Sequence, residues 1–257
     1  MRWTSLACVA VMLVSVGTAQ GADEIALDAE MAKLPPQCRV PVAFVSDPSL
    51  LRRSARRIER DQIVRIVVLG SASAQGIGAS TPAKAWPARL EEELKQRYPA
   101  TNLRVVVKAK AYDTAQKMLA RLDEVIAERP HLVLWETGTA EAVRGLNIDE
   151  FIVTLRDGID RLAETRTDIV LIEPQYGRRS ALLINYQPYL DAMHQAEAMR
   201  DLIVFPRFAI MRHWAKSDQL VVDNLPTSLM AETADKVYDC LARLLAIQIV
   251  YGLRATN

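Results

Sequence analysis

The chain has 257 residues, half of them hydrophobic, with 32 Lys+Arg against 31 Asp+Glu. That composition excludes a disordered, collagenous or coiled-coil chain, and the near-zero net charge leaves no global field to hold nucleic acid or an anionic membrane. The length fits one α/β-sized domain.

The uninterrupted apolar stretch at 6–16 is too short to span a bilayer, with Arg2 in front of it and small residues behind. Residues 1–21 therefore read as a cleaved secretory signal peptide, which predicts a periplasmic or secreted protein with no membrane span. Gly17-Thr18-Ala19 and Ala19-Gln20-Gly21 both offer small residues to a signal peptidase, and Cys8 stands too early in the apolar run for a lipoprotein cysteine. Cleavage leaves Cys38 and Cys240. In an oxidising compartment the two are expected to form a disulfide, the alternative being two buried thiols. Residues 22–61 read as an N-terminal arm, with Pro35-Pro36, Pro41 and Pro48 and no sustained period, expected to run over the surface. Its segment 50–60 carries Arg52, Arg53, Arg56, Arg57 and Arg60. Because Leu51, Ala55 and Ile58 fall at helical spacing, a solvated helical turn is preferred to an anion patch.

From residue 63 the pattern is regular. Short β-branched runs at 63–69, 103–107, 131–135, 169–172 and 202–205 alternate with segments of helical period at 85–98, 114–128, 149–165, 186–199 and 227–250. Apolar runs without alternation mark strands buried on both faces, and helical crossovers join parallel strands. The prediction is a three-layer α/β sandwich over 62–257 with a five-stranded parallel sheet, flavodoxin-like in architecture. Ligands of such a sheet sit beyond the carboxyl ends of its strands.

The first strand-to-helix loop, Gly70-Ser71-Ala72-Ser73-Ala74-Gln75-Gly76-Ile77-Gly78, lacks both Gly-Lys-Ser/Thr and Gly-x-Gly-x-x-Gly, so no nucleotide cofactor is expected. His131, His194 and His213 are too dispersed for a metal centre and read as structural.

The runs Ile66-Val67-Val68-Leu69-Gly70-Ser71-Ala72-Ser73 and Leu132-Val133-Leu134-Trp135-Glu136-Thr137-Gly138-Thr139, with Ile172-Glu173-Pro174-Gln175-Tyr176 and Phe208-Ala209-Ile210-Met211-Arg212-His213-Trp214, resemble the secreted bacterial SGNH/GDSL hydrolases. The similarity runs in order from 36 to 249 and includes the placement of the cysteines. It implies a serine nucleophile after the first strand, an oxyanion glycine and asparagine after the second and third, and an Asp-x-x-His pair near the C-terminus.

Carried over position by position, the nucleophile falls on Ala72, the oxyanion glycine on Tyr112, the asparagine on Ala140 and the base on Pro226, leaving Asp223 with nothing to orient. The Tyr112 ring is expected to fill space that an acyl group needs, so that its replacement by glycine would cost about 3 kcal/mol. Ser71 and Ser73 are the stand-in nucleophiles. Asp113, Glu136, Glu141 and Glu173 are candidate ligand-binding acids at the strand ends, the alternative being that each caps a helix or faces water. The expected function is an exported, non-catalytic binding or scaffolding module that holds an envelope glycan, an acylated ligand or a partner protein. An esterase acting on envelope glycans or lipids through relocated groups is the alternative.

Overall fold

The computed structural model of the chain describes residues 17–61, 63–220 and 225–254. Five strands, β1 (Ile63–Gly70), β2 (Asn102–Ala109), β3 (Leu132–Glu136), β4 (Asp168–Ile172) and β5 (Ile203–Phe205), form one sheet in the order β2-β1-β3-β4-β5. Every neighbouring pair is parallel. The helices are α1 (Gly17–Lys33), α2 (Arg52–Asp61), α3 (Trp86–Arg97), α4 (Ala115–Leu119), α5 (Leu122–Ile126), α6 (Thr139–Arg144), α7 (Ile148–Glu164), α8 (Arg178–Leu183), α9 (Gln187–Met199), α10 (Arg207–Lys216) and α11 (Thr227–Gly252). Among the described residues no helix is long and apolar enough to cross a membrane.

Successive strand residues point to opposite faces, so the apolar runs feed two cores. Ile66, Val68, Leu132, Leu134, Val170 and Ile172 pack towards α1, α3, α10 and α11. Val67, Leu69, Val133, Trp135, Ile169 and Leu171 pack towards α4, α5, α7 and α9. Both faces of the central strands are therefore covered, as a parallel sheet requires.

The structure differs from the sequence expectation in three places. The segment 114–128 forms two short helices instead of one, because Arg121 leaves helical geometry and turns its guanidinium to Asp113 Oδ2 at 2.9–3.0 Å and to the Lys108 carbonyl at 2.9 Å. Helices α6, α8 and α10 occupy stretches read as loops or as local packing. The arm does not run over the surface: Leu27, Met31, Leu34, Val40, Val45 and Leu51 are buried in the α11-side core. Burial of so many apolar side chains, together with the Cys38–Cys240 disulfide to α11 (Cα–Cα 4.9 Å), makes the arm part of the domain.

Candidate functional site

The loops after β1, β2 and β3 meet one another and α11 beyond the carboxyl ends of the strands. Glycines in the left-handed region turn the first loop, with φ of 88° at Gly76 and 99° at Gly78. Gln75 Oε1 accepts from the Ala111 amide at 3.1 Å, which ties that loop to the second. Arg144 of α6 donates to the Tyr112 carbonyl at 3.0 Å, and Glu141 accepts from the Ala115 amide, which ties the second loop to the third. Tyr238 of α11 donates to the Ile77 carbonyl at 2.5 Å. Burial pushes that phenol up to about 12.

Ala72, Tyr112 and Ala140 follow β1, β2 and β3 at this end, and Pro226 caps the start of α11 beside it. Asp223 lies outside the described residues. Tyr112 has φ 66°, the conformation that favours glycine, but its ring is 72% exposed. It therefore points to solvent and does not fill the interior, contrary to the sequence expectation.

Below the loops lies a buried polar network. Ser73 Oγ donates to Glu136 Oε2 at 2.5 Å, and Arg207 Nη1 donates to both Ser73 Oγ and Glu136 Oε2 at 2.9 Å. Arg207 Nε donates to the Glu173 carbonyl at 2.7 Å. The Glu173 carboxylate accepts from the Phe208 amide at 3.1 Å and bonds His194 Nε2 at 2.8 Å. Two carboxylates raise His194 to about 10, its hydrogen bond to Glu173 being the larger cause and that to Glu197 the next. Arg207, at the carboxyl end of β5, completes this network and is absent from the sequence reading. Its signal was an arginine two residues after the last apolar run, with Glu136 and Glu173 standing directly after the third and fourth runs.

The acids proposed as ligand-binding groups do not form an open crevice. Asp113 pairs with Arg121, Glu136 with Arg207 and Ser73, and Glu173 with His194 and the Phe208 amide. Glu141 is 3% exposed and turned to the Ala115 amide, with its carboxyl raised by burial. Asp113, Glu136 and Glu173 are thus bonded inward to donors from other parts of the fold, whereas Glu141 Oε2 is buried without a partner among the described residues. Ser73 is likewise bonded inward and does not stand ready as a nucleophile, while Ser71 is half-buried. The histidines are engaged elsewhere. His131 accepts from the Arg65 amide at 2.9 Å at the opposite end of the sheet, His194 bridges Glu173 and Glu197, and His213 makes an edge contact with Phe44.

Beside the network opens a cavity of about 410 Å³, lined among others by Ile77, Thr139, Gln175, Tyr176, Tyr186 and Tyr238. Tyr176 and Tyr186 pack on Phe208 with ring centroids 5.1 and 5.3 Å away. Thr139 Oγ1 is buried in the lining with no protein partner. Among the described residues no lining side chain is formally charged, and the lining offers apolar and hydroxyl groups to a ligand.

Solved structures with this architecture include TesA (19% identity, TM-score 0.54, covering 70% of this chain and 99% of that one). A catalytic mutant of Axe2, an acetylxylan esterase from Geobacillus stearothermophilus, matches at 20% identity and TM-score 0.61 over 72% of this chain and 94% of that one. A two-domain esterase active on acetylated mannans, co-crystallised with mannopentaose, matches at 12% identity and TM-score 0.61 over 80% of this chain and 55% of that one. At these identities the likeness is one of fold. No curated protein sequence matches. The family model described as Non-GDSL lipase-like matches residues 37–255, spanning the sheet, the loop cluster and both cysteines, and the chain belongs to that family, a degenerate branch of the SGNH/GDSL hydrolase type.

Proposed function

We propose that the protein is an exported, non-catalytic envelope module that holds a neutral acylated or glycosyl ligand in the cavity beside the loop cluster. On this reading residues 1–21 are a cleaved leader, 22–61 an arm built into the fold, and 62–257 the hydrolase-like domain. Ala72, Tyr112, Ala140 and Pro226 stand where nucleophile, oxyanion donors and base once stood. The observation that carries the proposal is that no imidazole accompanies the first-loop serines: all three histidines are engaged elsewhere, and Ser73 is bonded to a buried ion pair. A hydroxyl without a base is a poor nucleophile near neutral pH. The esterases of acetylated xylan and mannan that share the fold support a ligand of that chemical kind.

The test is fluorophosphonate labelling with an esterase screen on the wild type and on the quadruple variant Ala72→Ser, Tyr112→Gly, Ala140→Asn, Pro226→His. The wild type is expected to show neither label nor turnover, and Ala72→Ser alone should stay inactive because groups that act as a unit are non-additive. A labelled Ser71 or Ser73 with turnover in the wild type would falsify the proposal. Calorimetric titration with acetylated xylo- and manno-oligosaccharides addresses the cavity, and Thr139→Trp should abolish the heat by filling it.

A further inference from the structure

The end of the sheet opposite the cavity carries a concentration of arginine that the balanced total charge conceals. In α2, Arg52, Arg53, Arg56, Arg57 and Arg60 are exposed while Ser54, and Leu51 just before the helix, are buried, so the helix lies with its guanidinium side to solvent. The fold fixes where that side faces. Ser54 Oγ donates to the His131 carbonyl at 3.1 Å, the Ser54 amide donates to Asp168 Oδ2 at 2.7 Å, and Arg53 donates to the Thr167 carbonyl at 2.7 Å. These contacts lay α2 across the amino ends of β3 and β4. Exposed Arg129 and Arg166 stand on the turns that enter those two strands, and exposed Arg104 lies in register beside Arg65 near the start of β2.

Eight exposed arginines from four elements thus share one end of the molecule. The acids there are fewer and partly engaged. Glu128 pairs with Lys108 at 2.8 Å, Asp168 is buried against Ser54, and Glu59 and Glu164 are exposed, with Asp61 closing α2.

The arrangement works against the helix itself. Pairs 52/56, 53/57 and 56/60 set like charges one turn apart, about 6 Å along the axis, and each such pair is unfavourable. Arg52 and Arg53 also occupy the first turn, where the helix dipole disfavours cations. An anionic partner would reverse both effects.

We propose that this end is a docking surface for an anionic phospholipid bilayer. The cavities of about 410, 470 and 520 Å³ open elsewhere on the molecule. Ile63, 45% exposed at the start of β1, adds an apolar side chain among them, as interfacial binders have. Guanidinium forks pair two-toothed with phosphate oxygens. Docked in this way, the protein turns its amino strand ends to the lipid and holds the loop cluster outward.

The test is co-sedimentation of the purified protein with phosphatidylcholine vesicles containing about one third phosphatidylglycerol, against pure phosphatidylcholine, at low and at physiological salt. Binding is expected only with phosphatidylglycerol and should weaken with salt. Arg52→Gln/Arg56→Gln/Arg104→Gln should weaken it about a hundredfold, at about fivefold per arginine, and should still unfold cooperatively, since the contacts that lay α2 on the sheet come from Arg53 and Ser54. Equal binding to both vesicle types, wild-type binding by the triple variant, or retention on polygalacturonate with none on vesicles would each overturn the proposal. None of these outcomes bears on the cavity.

Discussion

Tyr112 keeps the backbone conformation of a glycine without being one. A non-glycine residue in the left-handed region is strained by about 1–2 kcal/mol, while glycine there loses about 0.5–1 kcal/mol of extra chain entropy. With the ring in solvent, little packing offsets the strain. Tyr112→Gly is therefore expected to leave stability within about 1 kcal/mol of wild type in urea unfolding, and a loss near the 3 kcal/mol expected for a packed ring would refute the observed orientation. The sequence could align this position with a glycine but could not tell which way the ring points. The backbone there is met by Arg144, 32 residues away, which donates to the Tyr112 carbonyl.

Among elements, the Arg207–Glu136 pair with Ser73 joins the loops after β1, β3 and β5. Both side chains are almost wholly buried, at 2% and 3% exposure. Removing one partner strands a charge, so Arg207→Met should cost about 3–5 kcal/mol, whereas Arg207→Met with Glu136→Gln should lose clearly less than the sum of the single changes. Additive losses in chemical unfolding would show that the two do not act as a pair. The clasp between α9 and the end of β4 has a pH signature. His194 is held protonated up to about 10, above its ordinary value of 6.5. Its contribution is thus complete below pH 6.5 and lost as pH rises through about 10. His194 is half exposed, so the effect is modest, but His194→Gln should flatten the decline in stability between pH 7 and 10. A parallel decline in both proteins would assign the slope to other groups. A separate window belongs to Asp47, raised from 3.8 to about 6 by burial first and by its hydrogen bond to Glu197 next. Its contribution is present below about 4 and lost by about 6.

At the scale of the whole molecule, the Cys38–Cys240 bond closes a separation of 202 residues and fastens the arm to α11. Chain entropy assigns such a loop about 5 kcal/mol, and Cys38→Ser/Cys240→Ser should lose about 2–5 kcal/mol in reversible unfolding. Mass spectrometry with and without reductant checks the bond itself, two free thiols being the contrary result. By itself the sequence determined five parallel strands with helical crossovers and the cysteine pair, while the strand order came from the structure. Unbroken apolar runs are local signals of burial on both faces, and Cys38 and Cys240, the two cysteines among the described residues, have one intramolecular pairing available. Only the tertiary structure decided what the acids do and where α2 faces. Glu136 meets Arg207 across 71 residues, and Ser54 meets Asp168 across 114. The choice between an open carboxylate and a buried ion pair, or between a solvated helix and one side of an arginine surface, rests on contacts that no local pattern encodes.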